Sequence, residues 1–293
     1  MAIATDGPVR NKASKKSADS QPNRTSNGID IKKLLEAGAH FGHKTSRWHP
    51  GMSPYIHSKR EGNHIIDLTK TVEGLDAALA FLEATAAEGK QILLVSTKRQ
   101  AKDVVKAVAD ATGMPYVTER WLGGMLTNQN TIGARIRRLK ELESRMATGE
   151  LAAKYSKLEV QRMAEEIESM NNLYGGIKDM HARPGAVFVV DVITDDIPVR
   201  EARKLKIPVV ALIDTNGDPR LADYPIPCND DATKAIQLVL EYVQNAILAG
   251  KAKVKAPVKA AEKTEKAEKT VEKEEKKPTE AAEPAPAPVR GIG

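Results

Sequence analysis

Residues 120–128 read Arg-Trp-Leu-Gly-Gly-Met-Leu-Thr-Asn, a mixture that fits neither a helix face nor an alternating strand. The stretch therefore predicts a shaped loop. Gly123 and Gly124 permit positive φ or a close approach of two backbones, and Trp121 can bury its ring while its indole N–H finds a partner. The guanidinium of Arg120 offers a planar fork that matches phosphate. Such a loop can hold a nucleic-acid backbone, or it can be a turn that Trp121 anchors to the core.

Further motifs lie on both sides of this loop and follow one another in a fixed order. They are His40-Phe41-Gly42-His43, Arg47-Trp48-His49-Pro50, Gly175-Gly176-Ile177-Lys178-Asp179-Met180, Asp214-Thr215-Asn216, Asp218-Pro219, Pro227 and Asn229-Asp230-Asp231-Ala232. Together with residues 120–128, they resemble the signatures of the bacterial small-subunit ribosomal protein number two family, over roughly residues 29–249. Two positions depart from the family pattern: Cys228 stands where Gly is common, and Val192–Asp196 differ from the usual sequence.

The resemblance implies a structural constituent of the small ribosomal subunit that supports translation and is not an enzyme. It implies small-subunit (16S-type) rRNA and neighbouring ribosomal proteins as partners, among them the large mRNA-binding ribosomal protein number one. It also implies late assembly and a position near the mRNA exit side of the head and body. We expect no cofactor, no small-molecule substrate and no membrane partner.

The charge of the chain is unevenly distributed. The formal net charge is +6, and residues 1–27 and 251–293 contribute +3 each. Residues 40–140 hold 15 Lys or Arg against 9 Asp or Glu, whereas residues 141–250 hold 12 against 18. This asymmetry indicates one surface for phosphate and another for a different partner, unless it is simply an uneven solvated surface.

Both ends are predicted to be disordered. Residues 1–27 are rich in Ser, Lys, Asn and Asp, so they cannot bury enough apolar surface to fold and are predicted to form a basic arm. A mitochondrial transit peptide fits less well, because Asp6 and Asp19 interrupt the stretch. Residues 250–293 form an Ala, Lys, Glu and Pro tail. The predicted rRNA-binding domain lies between them, at residues 28–249.

The cysteine content and the absence of long apolar runs indicate the compartment. The single cysteine, Cys228, excludes an internal disulfide framework and is compatible with a reducing environment. No apolar run approaches the ~20 residues that span a bilayer, and Met1–Gly28 lacks the apolar region of a signal peptide. We expect a soluble, cytoplasmic protein located in the small ribosomal subunit.

From Ile65 onward, apolar periodicities of helix and strand type alternate. The predicted helices include Leu75, Leu79 and Leu82, then Ala101–Ala111 ended by Gly113, Val199–Leu205 and the closing helix Ala232–Leu248. The predicted strands are Ile92–Val95, Met114–Val117, Val187–Val190 and Val209–Ile213. We predict an α/β fold with a doubly wound, mainly parallel sheet of the flavodoxin-like type and helices on both faces.

A different pattern occupies about residues 130–180. Apolar residues recur there at spacings of four and three in two runs, which predict an inserted antiparallel coiled-coil helical hairpin. The first arm is basic and the second is acidic. The basic arm can face RNA, or the two arms can form ion pairs with each other.

The stretch from His40 to His64 interleaves aromatic rings with cations, a composition that suits an RNA surface. Zinc is the alternative, because His40 and His43 have a ligand-like spacing, but thiolate partners are absent nearby and we predict no metal site. The predicted RNA-binding residues come from this stretch, from the segment after Val95, from the 120–128 loop and from the basic arm. They are Lys44, Arg47, Trp48, His49, Lys59, Arg60, Lys98, Arg99, Lys102, Arg120, Thr127, Asn128, Arg135, Arg137, Arg138 and Lys140.

The residues that follow the first buried strand test whether the protein is a nucleotide-using enzyme. Ser96–Gln100 place hydroxyls and cations at a helix N-terminus, which is a ready anion site. Neither Gly-x-Gly-x-x-Gly nor Gly-x-x-x-x-Gly-Lys-Ser/Thr occurs there, and a turn explains Asp214–Asp218 better than a magnesium site does. We predict no catalytic residues. A nucleotide-using doubly wound enzyme and a free-standing RNA-binding regulator stay as alternatives, and co-sedimentation with the small subunit discriminates them from a ribosomal protein.

Overall fold

The computed structural model describes residues 28–180 and 182–274. The predicted basic arm, residues 1–27, and the last part of the predicted tail, residues 275–293, lie outside the described residues. The helices are α1 (Ile31–Glu36), α2 (Leu68–Ala87), α3 (Lys102–Thr112), α4 (Gln129–Ala147), α5 (Glu150–Lys154), α6 (Lys157–Tyr174), α7 (Asp196–Lys204) and α8 (Thr233–Glu274). The strands are β1 (Phe41–Lys44), β2 (Ile56–Arg60), β3 (Asn63–Ile66), β4 (Ile92–Val95), β5 (Tyr116–Val117), β6 (Ala186–Val189), β7 (Val209–Ile213) and β8 (Tyr224–Pro227).

The larger sheet is parallel and has the order β5-β4-β6-β7-β8. Numbered along the chain, its strands therefore run 2-1-3-4-5, which is the flavodoxin-like order of a doubly wound fold. The predicted mainly parallel sheet is confirmed. The strand β8 was not predicted; it contains Pro225 and Pro227, and it tolerates them because it is an edge strand that pairs with β7 alone.

Both faces of this sheet are covered, as predicted. Along β4, Ile92 and Leu94 point into one apolar cluster with α2, α3 and α8, whereas Leu93 and Val95 point into a second cluster with α4, α6 and α7. The alternation follows from the pleat of a strand, which sends successive side chains to opposite faces. Gly113 ends α3 in the left-handed conformation, at φ +62°, as a C-terminal glycine should.

A small antiparallel sheet of order β1-β3-β2 precedes the α/β unit. The sequence pattern predicts no strand in residues 40–64, because these strands are short and their polar residues do not alternate cleanly with apolar ones. The sheet packs beside the ends of β7 and β8. The backbone N–H of His43 donates to Thr215 Oγ1 at 2.9 Å, and the N–H of Asn229 donates to the carbonyl of Ala39 at 3.1 Å.

The helices α4 and α6 lie in the region predicted to form a hairpin, and an ion pair joins them. Arg138 Nη2 lies 3.0 Å from Glu166 Oε1, so interhelical ion pairing occurs. Asn171 Nδ2 also donates to Glu143 Oε1 at 2.7 Å. The antiparallel coiled coil stays a prediction.

The closing helix α8 is longer than predicted, since it runs past Leu248 to Glu274. The helix continues beyond residue 250, where the solvated tail is predicted to begin; a helix can itself be solvated, so the tail stays a prediction. Ala, Glu and Lys dominate this segment and are strong helix formers, so composition that argues against a packed core still permits a helix. Within the described residues, no helix is both long and apolar enough to span a membrane.

Candidate RNA-binding surface

The 120–128 loop is organised around a buried carboxylate that sequence reasoning missed. Glu201, from α7, is only 8% exposed and accepts five hydrogen bonds from four residues of the loop. The Trp121 indole N–H donates to Oε1 at 3.1 Å, and the Gly124 N–H donates to the same oxygen at 2.6 Å. The N–H groups of Leu126 and Thr127 donate to Oε2 at 3.0 and 3.1 Å, and the Thr127 hydroxyl also donates to Oε2 at 3.1 Å.

These contacts explain how an irregular loop keeps one shape. Burial raises the pKa of Glu201, but the hydrogen bonds from Gly124, Trp121, Thr127 and Leu126 outweigh it and leave the pKa below its ordinary value. The carboxylate is therefore charged, and it satisfies backbone donors that would otherwise be buried without partners. The inward side of the loop binds the protein's own anion, so any RNA contact must come from the outward side.

The two glycines of the loop have different roles. Gly124 has φ +94°, a conformation that favours glycine, and an added Cβ would lie 3.1 Å from the Cβ of Asn128. Gly123 lacks a positive φ, and an added Cβ there would meet nothing within 4 Å. Only Gly124 therefore needs the conformational freedom that the sequence suggested for both.

The loop buries Trp121 but exposes the side chains of its two end residues, Arg120 and Asn128. Trp121 is 7% exposed and packs in the second apolar cluster, as predicted for an anchor. Arg120 is exposed. Asn128 is exposed and its side-chain oxygen accepts a hydrogen bond from the Thr131 N–H at 3.4 Å, so it caps α4.

Lys98 is not a free cation, although the sequence predicted that it binds phosphate. Its side chain is 13% exposed, and its Nζ lies 2.8 Å from Asp230 Oδ1, 2.7 Å from Asp231 Oδ1 and 3.5 Å from Asp191 Oδ2. Burial lowers the pKa of Lys98, but these carboxylates outweigh burial and raise it overall. Burial, Asp191 and Asp214 raise the pKa of Asp230 to about 7, because one ammonium faces several crowded carboxylates.

The predicted anion site after β4 also binds a carboxylate of the protein itself. Asp195 accepts the Thr97 N–H at 3.0 Å and the Thr97 hydroxyl at 2.8 Å. Doubly wound proteins bind ligands where the strand order reverses, here between the carboxyl ends of β4 and β6. Thr97 and Lys98 follow β4, and Asp191 and Asp195 follow β6, so the side chains of the protein itself bridge this crevice.

His43 links the small sheet to the same edge of the parallel sheet. Its Nδ1 lies 3.0 Å from Asp214 Oδ2, and its Nε2 lies 3.4 Å from Asp231 Oδ2. The hydrogen bond to Asp214 raises the pKa of His43 above 6.5 against the opposing effect of burial. Among residues 28–180 and 182–274, His43, Asp230 and Asp231 are the group whose ligand atoms could share one metal ion, but the ammonium of Lys98 already pairs with both carboxylates. His40 does not belong to this group.

The remaining predicted residues divide into exposed cations and cations in ion pairs. Exposed cations for which the described residues supply no ion pair are Lys44, Arg47, Lys59, Arg99, Arg120, Arg135 and Arg137. Those in ion pairs are Arg60 with Glu61, Lys102 with Glu119, Arg138 with Glu166 and Lys140 with Asp179. Trp48 is 37% exposed and contacts the His64 ring with a centroid distance of 5.4 Å. The Nδ1 of His49 accepts the Gly51 N–H, which caps a 3₁₀ turn.

Much of this set meets at one edge of the parallel sheet, which we call the carboxyl edge because β4–β8 end there. Arg99 follows β4 and Arg120 follows β5. Arg47 lies in the 3₁₀ turn that follows β1, and this segment is anchored beside the end of β7, where the His49 N–H donates to the Thr215 carbonyl. A cleft of 260 Å³ joins two of these segments, since Thr97, Arg120, Trp121 and Asp195 all line it. The structure thus brings together segments that lie far apart in the sequence.

Comparisons with known proteins agree with the motifs. A family model described as Ribosomal protein S2 matches residues 34–250. The chain belongs to the ribosomal protein S2 family. The relative named small ribosomal subunit protein uS2 from Coprothermobacter proteolyticus is 48% identical over 76% of this chain and 83% of its own. The protein of the same name from Roseiflexus sp. is 48% identical over 76% of this chain and 84% of its own. The one from Thermus thermophilus is 47% identical over 81% of this chain and 94% of its own.

Membership of the S2 family confirms the predicted class. The chain is a ribosomal protein of the small subunit and a structural component, not an enzyme. The family match includes every residue predicted to bind RNA, and it includes Glu201. Glu201 could have been noticed from its spacing: it lies three residues after the buried Pro198, on the apolar side of α7 with Val199 and Ala202. Lys98 gave no comparable signal, because its partners lie more than 90 residues away.

Proposed function

We propose that this protein binds small-subunit rRNA through its exposed carboxyl-edge cations and so acts as a structural part of the small ribosomal subunit. One observation carries the proposal: Arg47, Arg99 and Arg120, from separate segments, are exposed at the same edge. Arginine forks match phosphate geometry, and most protein contacts to a nucleic-acid backbone come from such side chains.

The neighbouring aromatic supports RNA rather than another polyanion. Trp48 directly follows Arg47 and is 37% exposed, so its ring can stack on an unpaired base while the guanidinium meets a phosphate. Lys44 and Lys59 are exposed on the same small sheet. Lys98 is left out of the proposed surface because its ammonium is held by three carboxylates.

The first arm of the predicted hairpin adds a second contact region. Arg135 and Arg137 are exposed on α4, whereas Arg138 and Lys140 have carboxylate partners in the described residues. We therefore place the α4 contribution on Arg135 and Arg137. The antiparallel coiled-coil geometry, the position near the mRNA exit side and the docking of the large ribosomal protein number one are part of the same proposal, and they rest on the family resemblance.

A free-standing RNA-binding regulator would have the same RNA-binding surface but would not be located in the small ribosomal subunit. Sucrose-gradient sedimentation of cells that express a tagged chain discriminates the two. The proposal predicts that most of the tagged protein co-sediments with small subunits in low-salt buffer and is released progressively as salt is raised. Tagged protein that stays at the top of the gradient at all salt concentrations would contradict a ribosomal role.

A further inference from the structure

We infer that Glu201 is a positioning residue for RNA recognition: it never meets RNA itself but fixes the 120–128 loop so that Arg120 and α4 are presented outward. The inference rests on the proposed function. Glu201 is buried on α7, on the opposite side of the loop backbone from the exposed Arg120 and Asn128. A residue so placed can affect RNA binding only through the loop.

The chemistry of the contacts requires a carboxylate. The loop offers Glu201 only donors: three backbone N–H groups, an indole N–H and a hydroxyl. An ionised carboxylate has two acceptor oxygens and no donor, and charge-assisted hydrogen bonds of this kind are stronger than neutral ones. Glutamine has the same shape, but its NH₂ group would face the hydrogen-bond donors of the loop and could not accept from them.

The contacts also connect the loop to the start of α4. The Gly124 carbonyl accepts the Asn128 N–H at 2.8 Å, and the Asn128 carbonyl accepts the Ile132 N–H at 3.2 Å. Holding Gly124 and Thr127 on Glu201 therefore fixes the residue at which α4 begins. The direction in which α4 carries Arg135 and Arg137 follows from that starting point.

The test compares Glu201→Gln with wild type in the full-length protein, and Asp196→Asn is the matched control. Asp196 is a carboxylate on the same helix, but it pairs with Arg200 at 2.7 Å and contacts no residue of the loop in the hydrogen bonds described. Two quantities are measured: amide hydrogen exchange of Gly124, Leu126 and Thr127, and affinity for a 16S-type rRNA fragment. For Glu201→Gln we expect faster exchange at these amides and about tenfold weaker binding, the size typical of losing one charge-assisted contact network. Asp196→Asn should match wild type in both.

A double-mutant cycle with Arg120→Ala separates positioning from general destabilisation. If Glu201 acts by placing Arg120, the loss of Arg120 should cost little once Glu201 is replaced, so the two effects on affinity should not add. Additive effects would overturn the positioning role and leave Glu201 a residue that only stabilises the fold. Unchanged affinity in Glu201→Gln would overturn it as well.

Two further outcomes keep the inference distinct from the proposed function. If Glu201→Gln fails to fold, Trp121→Phe removes one donor and keeps an aromatic ring; it should show the same faster exchange and weaker binding to a smaller extent, and wild-type values for both would overturn the inference. If wild-type protein shows no salt-sensitive rRNA binding, the proposed function fails and the inference fails with it. In that case faster amide exchange in Glu201→Gln would still identify the carboxylate as an internal support of the loop.

Discussion

The ammonium nitrogen of Lys98 lies 2.8 Å from Oδ1 of Asp230, although 132 residues separate the two in the chain. The lysine follows the first strand of the parallel sheet, and the aspartate follows the last. Their contact ties the two ends of the α/β unit together at the carboxyl edge. Because its ammonium is paired with carboxylates, we leave Lys98 out of the RNA-binding surface that we propose.

Replacing Lys98 should damage the fold, whereas replacing its neighbour should not. Lys98→Met leaves Asp191 and Asp230 buried without their cation, a change that typically costs ~3–5 kcal/mol of unfolding free energy. Arg99→Met removes an exposed cation and should change stability by less than about 1 kcal/mol. Urea denaturation of both variants measures the difference. Equal stabilities would show that the ammonium does not hold the cluster together.

The adjacent glycines provide a second matched pair. Gly124→Ala forces an L residue into a positive-φ conformation and brings its Cβ close to Asn128, so it should lose roughly 1–2 kcal/mol or more. Gly123→Ala meets no atom within 4 Å and should be tolerated. Thermal denaturation followed by circular dichroism compares the two. The reverse order of stabilities would mean that the backbone of the loop is not the one described.

The pairing of His43 should make stability depend on pH. Its pKa is raised above 6.5 in the folded state, chiefly by the hydrogen bond to Asp214, so the folded state binds its proton more tightly than the unfolded state. The resulting contribution of His43 to the free energy of unfolding is present at pH values below its pKa in the unfolded state. It is lost as pH rises through its pKa in the folded state. The destabilisation caused by His43→Gln should thus be larger at about pH 5.5 than at about pH 8.5.

Urea denaturation of wild type and His43→Gln at both pH values checks this sign. His57→Gln is the control, because His57 is an exposed residue of β2. A destabilisation by His43→Gln that grows with rising pH would contradict the pairing of an imidazolium with Asp214.

The length of α8 predicts where the chain can be shortened. Lys251 donates to the carbonyl of Thr112, and Lys253 Nζ lies 2.6 Å from Glu83 Oε1, so the helix contacts the domain up to this point. Deleting residues 251–293 should lower Tm by about 2–4 °C, as expected for ~1 kcal/mol in a domain of this size. Deleting residues 255–293 should leave Tm nearly unchanged, because that composition offers little apolar area to bury. A similar loss of Tm in both deletions would show that the distal helix is packed.

The sequence predicted the features that depend on local pattern. The strand Ile92–Val95 is found as predicted, and α3 differs from its predicted bounds by one residue at each end. Trp121 is the buried anchor that the composition of its loop indicated. Each of these depends on periodicity, a glycine signal or the chemistry of a single side chain, all of which can be read along the chain.

What escaped prediction depends on pairs of residues far apart in the chain. Glu201 lies 80 residues from Trp121, and Lys98 lies 132 residues from Asp230. The segment after β4 and the 120–128 loop both present several hydrogen-bond donors, as predicted for anion sites, but the carboxylates of Asp195 and Glu201 accept from them. A single sequence does not reveal which acid lies opposite which donor. The small antiparallel sheet was missed for a different reason, since its strands are short and their polar residues do not alternate cleanly with apolar ones.

We propose that exposed cations at the carboxyl edge bind rRNA. The salt dependence of affinity for a 16S-type rRNA fragment tests this, measured for wild type, for the triple variant Arg47→Ala, Arg99→Ala, Arg120→Ala, and for a control triple. The control replaces Lys90, Arg203 and Lys204, which are exposed at the opposite edge of the sheet, by alanine. Each lost phosphate contact should reduce the slope of log affinity against log salt concentration by about 1. We predict a slope reduced by about 3 in the carboxyl-edge variant and unchanged in the control; equal slopes in all three proteins would contradict the claim.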